Sequence, residues 1–130
     1  MRITFLYAAL LALLFFGLSV RTLRLRGRLR IAVGDQGNET MLRAMRAHSN
    51  FAEYVPLTLL LMYFVELAGG RPLLLHALGL SLLVGRAIHA YGVSQVRENY
   101  RFRAVGMVLT FGAMVGASLR LLVAYAAGVA

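Results

Sequence analysis

From residue 3 to residue 20 the chain runs for 18 residues without a charge. An apolar run of that length crosses a hydrocarbon core as one helix. Three further apolar segments follow, opening near Thr40, Pro72 and Arg103, all within 130 residues. Few folds are open to such a chain. Inside a bilayer every backbone N–H and C=O must be satisfied within the segment itself or within a closed barrel. Segments this long and this apolar therefore predict helices. The expected fold is an all-α membrane protein, a four-transmembrane-helix bundle in a single domain over residues 1–130.

A secretory leader competes for the first run, because Arg2 precedes an apolar stretch. No small-x-small cleavage site follows, and the run ends in Arg21-Thr22-Leu23-Arg24, so we read a span. The second helix is expected over residues 40–68. Asn38 or Thr40 would cap it after the Gly34-Asp35-Gln36-Gly37-Asn38 turn. At roughly 42 Å its first turns project beyond the hydrocarbon. Pro56 removes one backbone bond inside it and predicts a kink just past Glu53. The third helix, over residues 72–96, opens on Pro72, a favoured first-turn residue. The fourth, over residues 103–129, carries a Gly112-x-x-x-Gly116 pair that suggests close helix packing.

All 14 basic residues are arginine, against five acids. A basic excess can signal nucleic acid. These arginines instead cluster between the apolar runs, the pattern by which membrane proteins fix topology, and no nucleic-acid partner is expected. Arg21, Arg24, Arg26, Arg28 and Arg30 follow the first run, and Arg97, Arg101 and Arg103 precede the fourth. The second connection holds only Arg71 and the N-terminus only Arg2. Loops one and three are therefore expected in the cytoplasm, with both termini on the opposite side. With no cysteine, a disulfide framework and a Cys-based metal site are excluded. The three histidines have no metal-ligand spacing, and no metal is expected.

Arg43, Arg46, Asn50, Glu53 and Leu57 are spaced 3, 4, 3 and 4 apart, one stripe on one helix face. A polar stripe running into a membrane helix is costly without partners. Depth counted from helix rise puts Glu53 level with Arg86, and Glu66 level with Arg120, so two ion pairs are expected. His89 shares the face of Arg86. Tyr54, Tyr91 and Tyr100 fall near the membrane boundary, where tyrosines commonly anchor helices; a hydroxyl contact to a ligand is the sharper alternative.

Arg43, Arg46, Arg86, Arg101 and Arg103 are placed to converge with Asn50 and Glu53 at one end of the bundle. Arginines bind carboxylates through paired hydrogen bonds, and a glutamate takes up an ammonium. An arginine beside a thiol lowers its pKa and holds the thiolate. The set suits a small zwitterion with several carboxylates; anionic membrane lipids are the other reading of the same arginines.

The segment Arg43-x-x-Arg46-Ala-x-x-Asn50-x-x-Glu53-Tyr54-x-Pro56 resembles the signature of the MAPEG family, the membrane-associated proteins in eicosanoid and glutathione metabolism. Arg86-x-x-His89 and the arginines opening the fourth span extend the likeness over nearly the whole chain. The resemblance implies a homotrimer of four-helix protomers, with glutathione as co-substrate held between neighbours at the cytoplasmic side. It implies glutathione contacts at Arg43, Arg46, Asn50, Glu53, Tyr54 and Arg86. It implies thiolate stabilisation by Arg103, with Arg101 as the neighbouring alternative, and a contribution from Arg21 or Arg24.

One position departs from the pattern. Eicosanoid-forming members carry a tyrosine one turn after the Arg-x-x-His position, where this chain has Val93. The chain is therefore more similar to the bacterial branch. The implied activity is a glutathione transferase or peroxidase of the bacterial inner membrane, acting on apolar electrophiles that enter from the bilayer. The alternative is a non-catalytic helical subunit or lipid-binding structural protein.

Overall fold

Among residues 2–97 and 99–128, which the computed structural model describes, four helices follow one another. They are α1 (Ile3–Leu29), α2 (Glu39–Leu67), α3 (Pro72–Ser94) and α4 (Tyr100–Ala126). No strand occurs among the described residues. The expected end of the fourth helix at Val129 lies outside them.

The first helix outruns its apolar segment. Arginine and leucine are both strong helix formers, so the arginines after Val20 continue the helix instead of forming a loop. It stops at Arg30, which turns left-handed at φ 55° and sends its N–H back to the Arg26 carbonyl. The Arg26 guanidinium then donates to the Ala32 and Gly34 carbonyls, both at 3.2 Å. Arg21, Arg24, Arg26 and Arg28 are thus helix-surface residues, and the first connection is only residues 30–38.

Asn38 caps α2, its Oδ1 accepting from the Met41 N–H at 3.0 Å. The helix runs unbroken through Pro56. Asn99 likewise caps α4, accepting from the Arg101 N–H at 3.1 Å.

The helices alternate in direction. At one end the Tyr7 hydroxyl meets His76 Nδ1 at 3.1 Å, and Glu66 accepts from the first amides of α1, those of Ile3 and Thr4. At the other end Arg21 donates to the Ser94 hydroxyl, joining α1 to the last turn of α3. The α1–α2 and α3–α4 connections therefore share one end. Both α2 and α3 pack against all three other helices, whereas α1 and α4 do not pack together among the described residues.

Leu11, Met62, Val65, Leu75, Leu82 and Ala117 form a thin core along the axis. The closest approach of α3 and α4 falls at Gly85 and Gly106, where a Cβ on Gly106 would lie 2.6 Å from the Gly85 carbonyl oxygen. Of the Gly112-x-x-x-Gly116 pair only Gly116 packs against α3, a Cβ there lying 3.2 Å from the Leu78 side chain; a Cβ on Gly112 would meet nothing within 4 Å.

Outside the core the surface is apolar, with Phe5, Leu13, Phe16, Leu73, Val108 and Leu122 all exposed. In water such a surface aggregates; in a bilayer it faces hydrocarbon or another membrane helix. By length and composition α1, α3 and α4 qualify as membrane spans. The remaining helix, α2, falls short of that measure because Arg43, Arg46, Glu53 and Glu66 interrupt its apolar sequence.

Candidate functional site: a charged pocket at one end of the bundle

The polar stripe of α2 meets the end of α3 and the start of α4 around a pocket of about 340 Å³. From α2 come Glu39, Arg43, Arg46, Ser49, Asn50 and Glu53; from α3, His89 and Val93; from α4, Tyr100 and Arg103. Three arginines against two glutamates leave the lining net positive.

Behind the pocket lies Arg86, only 1% exposed. Its Nη1 donates to Asn50 Oδ1 at 2.7 Å and its Nε to Thr110 Oγ1 at 2.8 Å. Thr110 in turn donates to the Gly106 carbonyl at 2.8 Å, and Arg86 Nη2 reaches the same oxygen at 3.5 Å. The Tyr54 ring lies 5.8 Å from the guanidinium carbon and packs edge-on against Phe111. A buried cation is tolerated here because neutral acceptors and an aromatic face surround it.

The expected Glu53–Arg86 ion pair does not form; Asn50, one turn earlier on the same stripe, takes that place, and Glu53 stays exposed at the pocket. The Glu66–Arg120 pair does not form either. Glu66 is spent on the N-terminus of α1, where two amides have no intrahelical partner. Arg43 ion-pairs with Glu39 at 3.0 Å, and its Nη1 donates to the Val93 carbonyl at 3.3 Å. That bond ties α2 to the last turn of α3, whose carbonyls lack helical donors.

The remaining expected site residues are placed as follows. Tyr54 and Arg86 do not line the cavity: Arg86 holds Asn50, which does, and Tyr54 packs on the Arg86 guanidinium and on Phe111. Arg103 lines the pocket; Arg101 is exposed and does not. Arg21 and Arg24 sit apart, on a different groove along α1. Val93 is buried in the pocket wall, and Tyr91 points to another face, edge-on to Phe102.

Glu39 and Ser49 also line the pocket, and the sequence reading missed them as site residues. Glu39 and Ser49 carried a signal, since they extend the 3–4 spacing of the stripe. Tyr100, expected as a boundary tyrosine with a ligand contact as the alternative, lines the pocket as well.

A family model described as the MAPEG family matches residues 4–123. The chain is 39% identical over 110 residues to inner membrane protein YecN of Escherichia coli K12, covering 85% of this chain and 82% of that protein. The YecN protein of Escherichia coli O6:H1 matches with the same identity and coverage. No solved structure gives a significant match.

Proposed function

Because the chain belongs to the MAPEG family, we propose that its charged pocket binds glutathione and presents the thiol to apolar electrophiles arriving through the bilayer. The observation that carries this reading is the gathering of Arg43, Arg46, Asn50, Glu53 and Arg103 around one cavity. Glutathione has two carboxylates, one ammonium and a thiol. Arg43 and Arg46 match the carboxylates, Glu53 the ammonium, and the Asn50 amide the peptide groups. The net positive lining suits a net anion. The volume lies within the usual range of small-ligand sites, roughly 300–1,000 Å³.

In this reading Arg103 stabilises the thiolate, and the rate gain comes from that charge stabilisation and from positioning. The thiolate sulfur attacks an electrophilic carbon, an S–C bond forms, and the leaving group departs with its electron pair. With a lipid hydroperoxide, two glutathione molecules are oxidised to the disulfide while the peroxide is reduced to an alcohol and water. Arg86, buried behind the pocket, holds Asn50 in place. The protein works as a homotrimer in the bacterial inner membrane, where its relatives' name also puts them, with the pocket at the cytoplasmic face.

Val93 favours a narrower chemistry. An apolar wall stands where eicosanoid-forming members carry a tyrosine, so a general transferase or peroxidase fits better than eicosanoid synthesis. The same lost contact supports the second reading, a non-catalytic subunit that keeps the fold.

The test is glutathione binding to the purified protein, with the thiolate absorbance recorded near neutral pH. The expected result is binding with a thiolate band that disappears in Arg103→Ala. Binding without the band favours the non-catalytic reading. No binding at all overturns the assignment of glutathione.

A further inference from the structure

Arg43 lines the charged pocket with its guanidinium already engaged. Its Nε and Nη2 both lie 3.0 Å from one oxygen of Glu39, Oε1, one helical turn earlier on α2. Those two nitrogens form an edge that can grip a carboxylate through two parallel hydrogen bonds. Glu39 uses the edge less well, because both contacts converge on a single oxygen. The two partners are also unequally anchored. The Glu39 side chain is 57% exposed, that of Arg43 only 20%. Arg43 is tied to α3, its Nη1 donating to the Val93 carbonyl at 3.3 Å. Glu39 makes no other hydrogen bond or ion pair among the described residues. It opens α2 directly after the Asn38 cap, and a carboxylate in a first helical turn is favoured by the helix dipole whether or not it is paired. The glutamate can therefore swing into water at little cost while the arginine stays in place.

We propose that Glu39 is a built-in competitor for the ligand: a carboxylate entering the pocket reaches Arg43 by displacing Glu39, and the strength of that ion pair sets the affinity of the site. The role rests on the pocket being a glutathione site, with one of the two carboxylates on Arg43. An entering carboxylate can present one oxygen to each nitrogen of the Nε–Nη2 edge, a geometry that Glu39 does not reach. It thereby gains more from Arg43 than Glu39 loses. A ligand with a neutral amide or ester at that place offers Arg43 no charge and leaves Glu39 bound. Glu53, the other glutamate of the lining, competes for no arginine: it makes no hydrogen bond or ion pair among the described residues, and its carboxylate is left for the ammonium.

The experiment is calorimetric titration of glutathione into the purified full chain in detergent. Glu39→Gln is expected to bind roughly two- to fivefold more tightly than wild type, the scale of one partly exposed ion pair. In the Arg43→Gln background, whose own affinity is lower, adding Glu39→Gln is expected to change nothing, because no pair is left to break. Glu53→Gln removes the same unit of charge from the same lining and is expected not to tighten binding. It keeps the comparison decisive if Arg43→Gln, which also loses the tie to Val93, does not fold. Unchanged or weaker binding by Glu39→Gln overturns the proposal. So does an equal gain in the Arg43→Gln background or in Glu53→Gln, since bulk charge and not occupancy of Arg43 would then set the affinity. Wild type that binds glutathione while Glu39→Gln shows no gain removes only the role of Glu39. No binding by either protein removes glutathione from the pocket, and the competitor with it.

Discussion

Asn50 Oδ1 accepts a 2.7 Å hydrogen bond from the buried guanidinium of Arg86. The charge fixes the orientation of the amide, because only its oxygen can face a cation. The Asn50 NH₂ group is then the part left for the pocket that Asn50 lines. One residue thus satisfies a buried cation on one side and offers a donor on the other.

That double duty predicts a split between two substitutions. Asn50→Ala strips an acceptor from a buried cation and is expected to cost about 1–3 kcal/mol of stability. Asn50→Asp keeps an acceptor and is expected to melt near wild type. It replaces the ligand-facing donor with negative charge, so glutathione affinity is expected to fall in both variants. Thermal melts in detergent, paired with glutathione titrations, check this; an Asp variant as unstable as the Ala variant contradicts the bond's assigned role.

Arg101 and Arg103 are separated by two positions and point differently, and only Arg103 lines the pocket. Arg103→Ala is expected to lower turnover by roughly 10²–10³, the scale set by losing one charge-stabilising group. Arg101→Ala is expected to stay near wild type. Steady-state rates with a chromogenic electrophile distinguish the two, and equal losses would place the thiolate elsewhere.

Glu53 is exposed and makes no hydrogen bond or ion pair among the described residues. Glu53→Gln is therefore expected to leave the melting temperature unchanged. If Glu53 takes the ligand ammonium in ground state and transition state alike, KM rises several-fold with kcat unchanged. A fall in kcat at constant KM goes against that role.

The stripe on α2 was legible because helical periodicity and the cost of intramembrane charge are both local signals. The partner of Arg86 was not. Asn50 and Glu53 share one face and differ by about 4.5 Å in height, finer than depth counting resolves. The end of α1 was misplaced for a different reason. Arginine counting reports where charge lies relative to a membrane and says nothing about backbone conformation, and Arg21 to Arg28 continue the helix. Among the glycines, spacing suggested Gly112 and Gly116; Gly116 does face Leu78 of α3 but Gly112 meets nothing, because spacing does not say which face is the closest one. The closest contact falls at Gly85 and Gly106, whose meeting depends on how α3 and α4 dock.

That docking predicts a strong effect from a small substitution. In Gly106→Ala the new Cβ would lie 2.6 Å from the Gly85 carbonyl oxygen and 2.7 Å from the His89 nitrogen. Both are backbone atoms, so the helices must part, at an expected cost of about 1–3 kcal/mol. The same displacement pulls Arg86 of α3 away from the Gly106 carbonyl and the Thr110 hydroxyl of α4. Gly112→Ala meets nothing and serves as the matched control, expected to melt as wild type or slightly higher. Equal melting of the two alanine variants contradicts the docking.

Glu66 sets a final expectation, because it acts at the end of the bundle away from the pocket. Its carboxylate accepts from Ile3 and Thr4, amides that the first turn of α1 leaves without partners. A carboxylate at a helix N-terminus also lies at the positive end of the helix dipole. Glu66→Gln keeps one acceptor and loses the charge; Glu66→Ala loses both. Destabilisation of about 1 kcal/mol is expected for the alanine variant, and less for glutamine. Glutathione binding is expected to be unchanged in both, since Glu66 does not line the pocket. Had Glu66 paired with Arg120, as the sequence suggested, Arg120→Gln would destabilise comparably. In the structure it does not pair, so Arg120→Gln is expected to be silent. Melting curves of the three variants decide between a carboxylate that caps α1 and one that neutralises an arginine of α4.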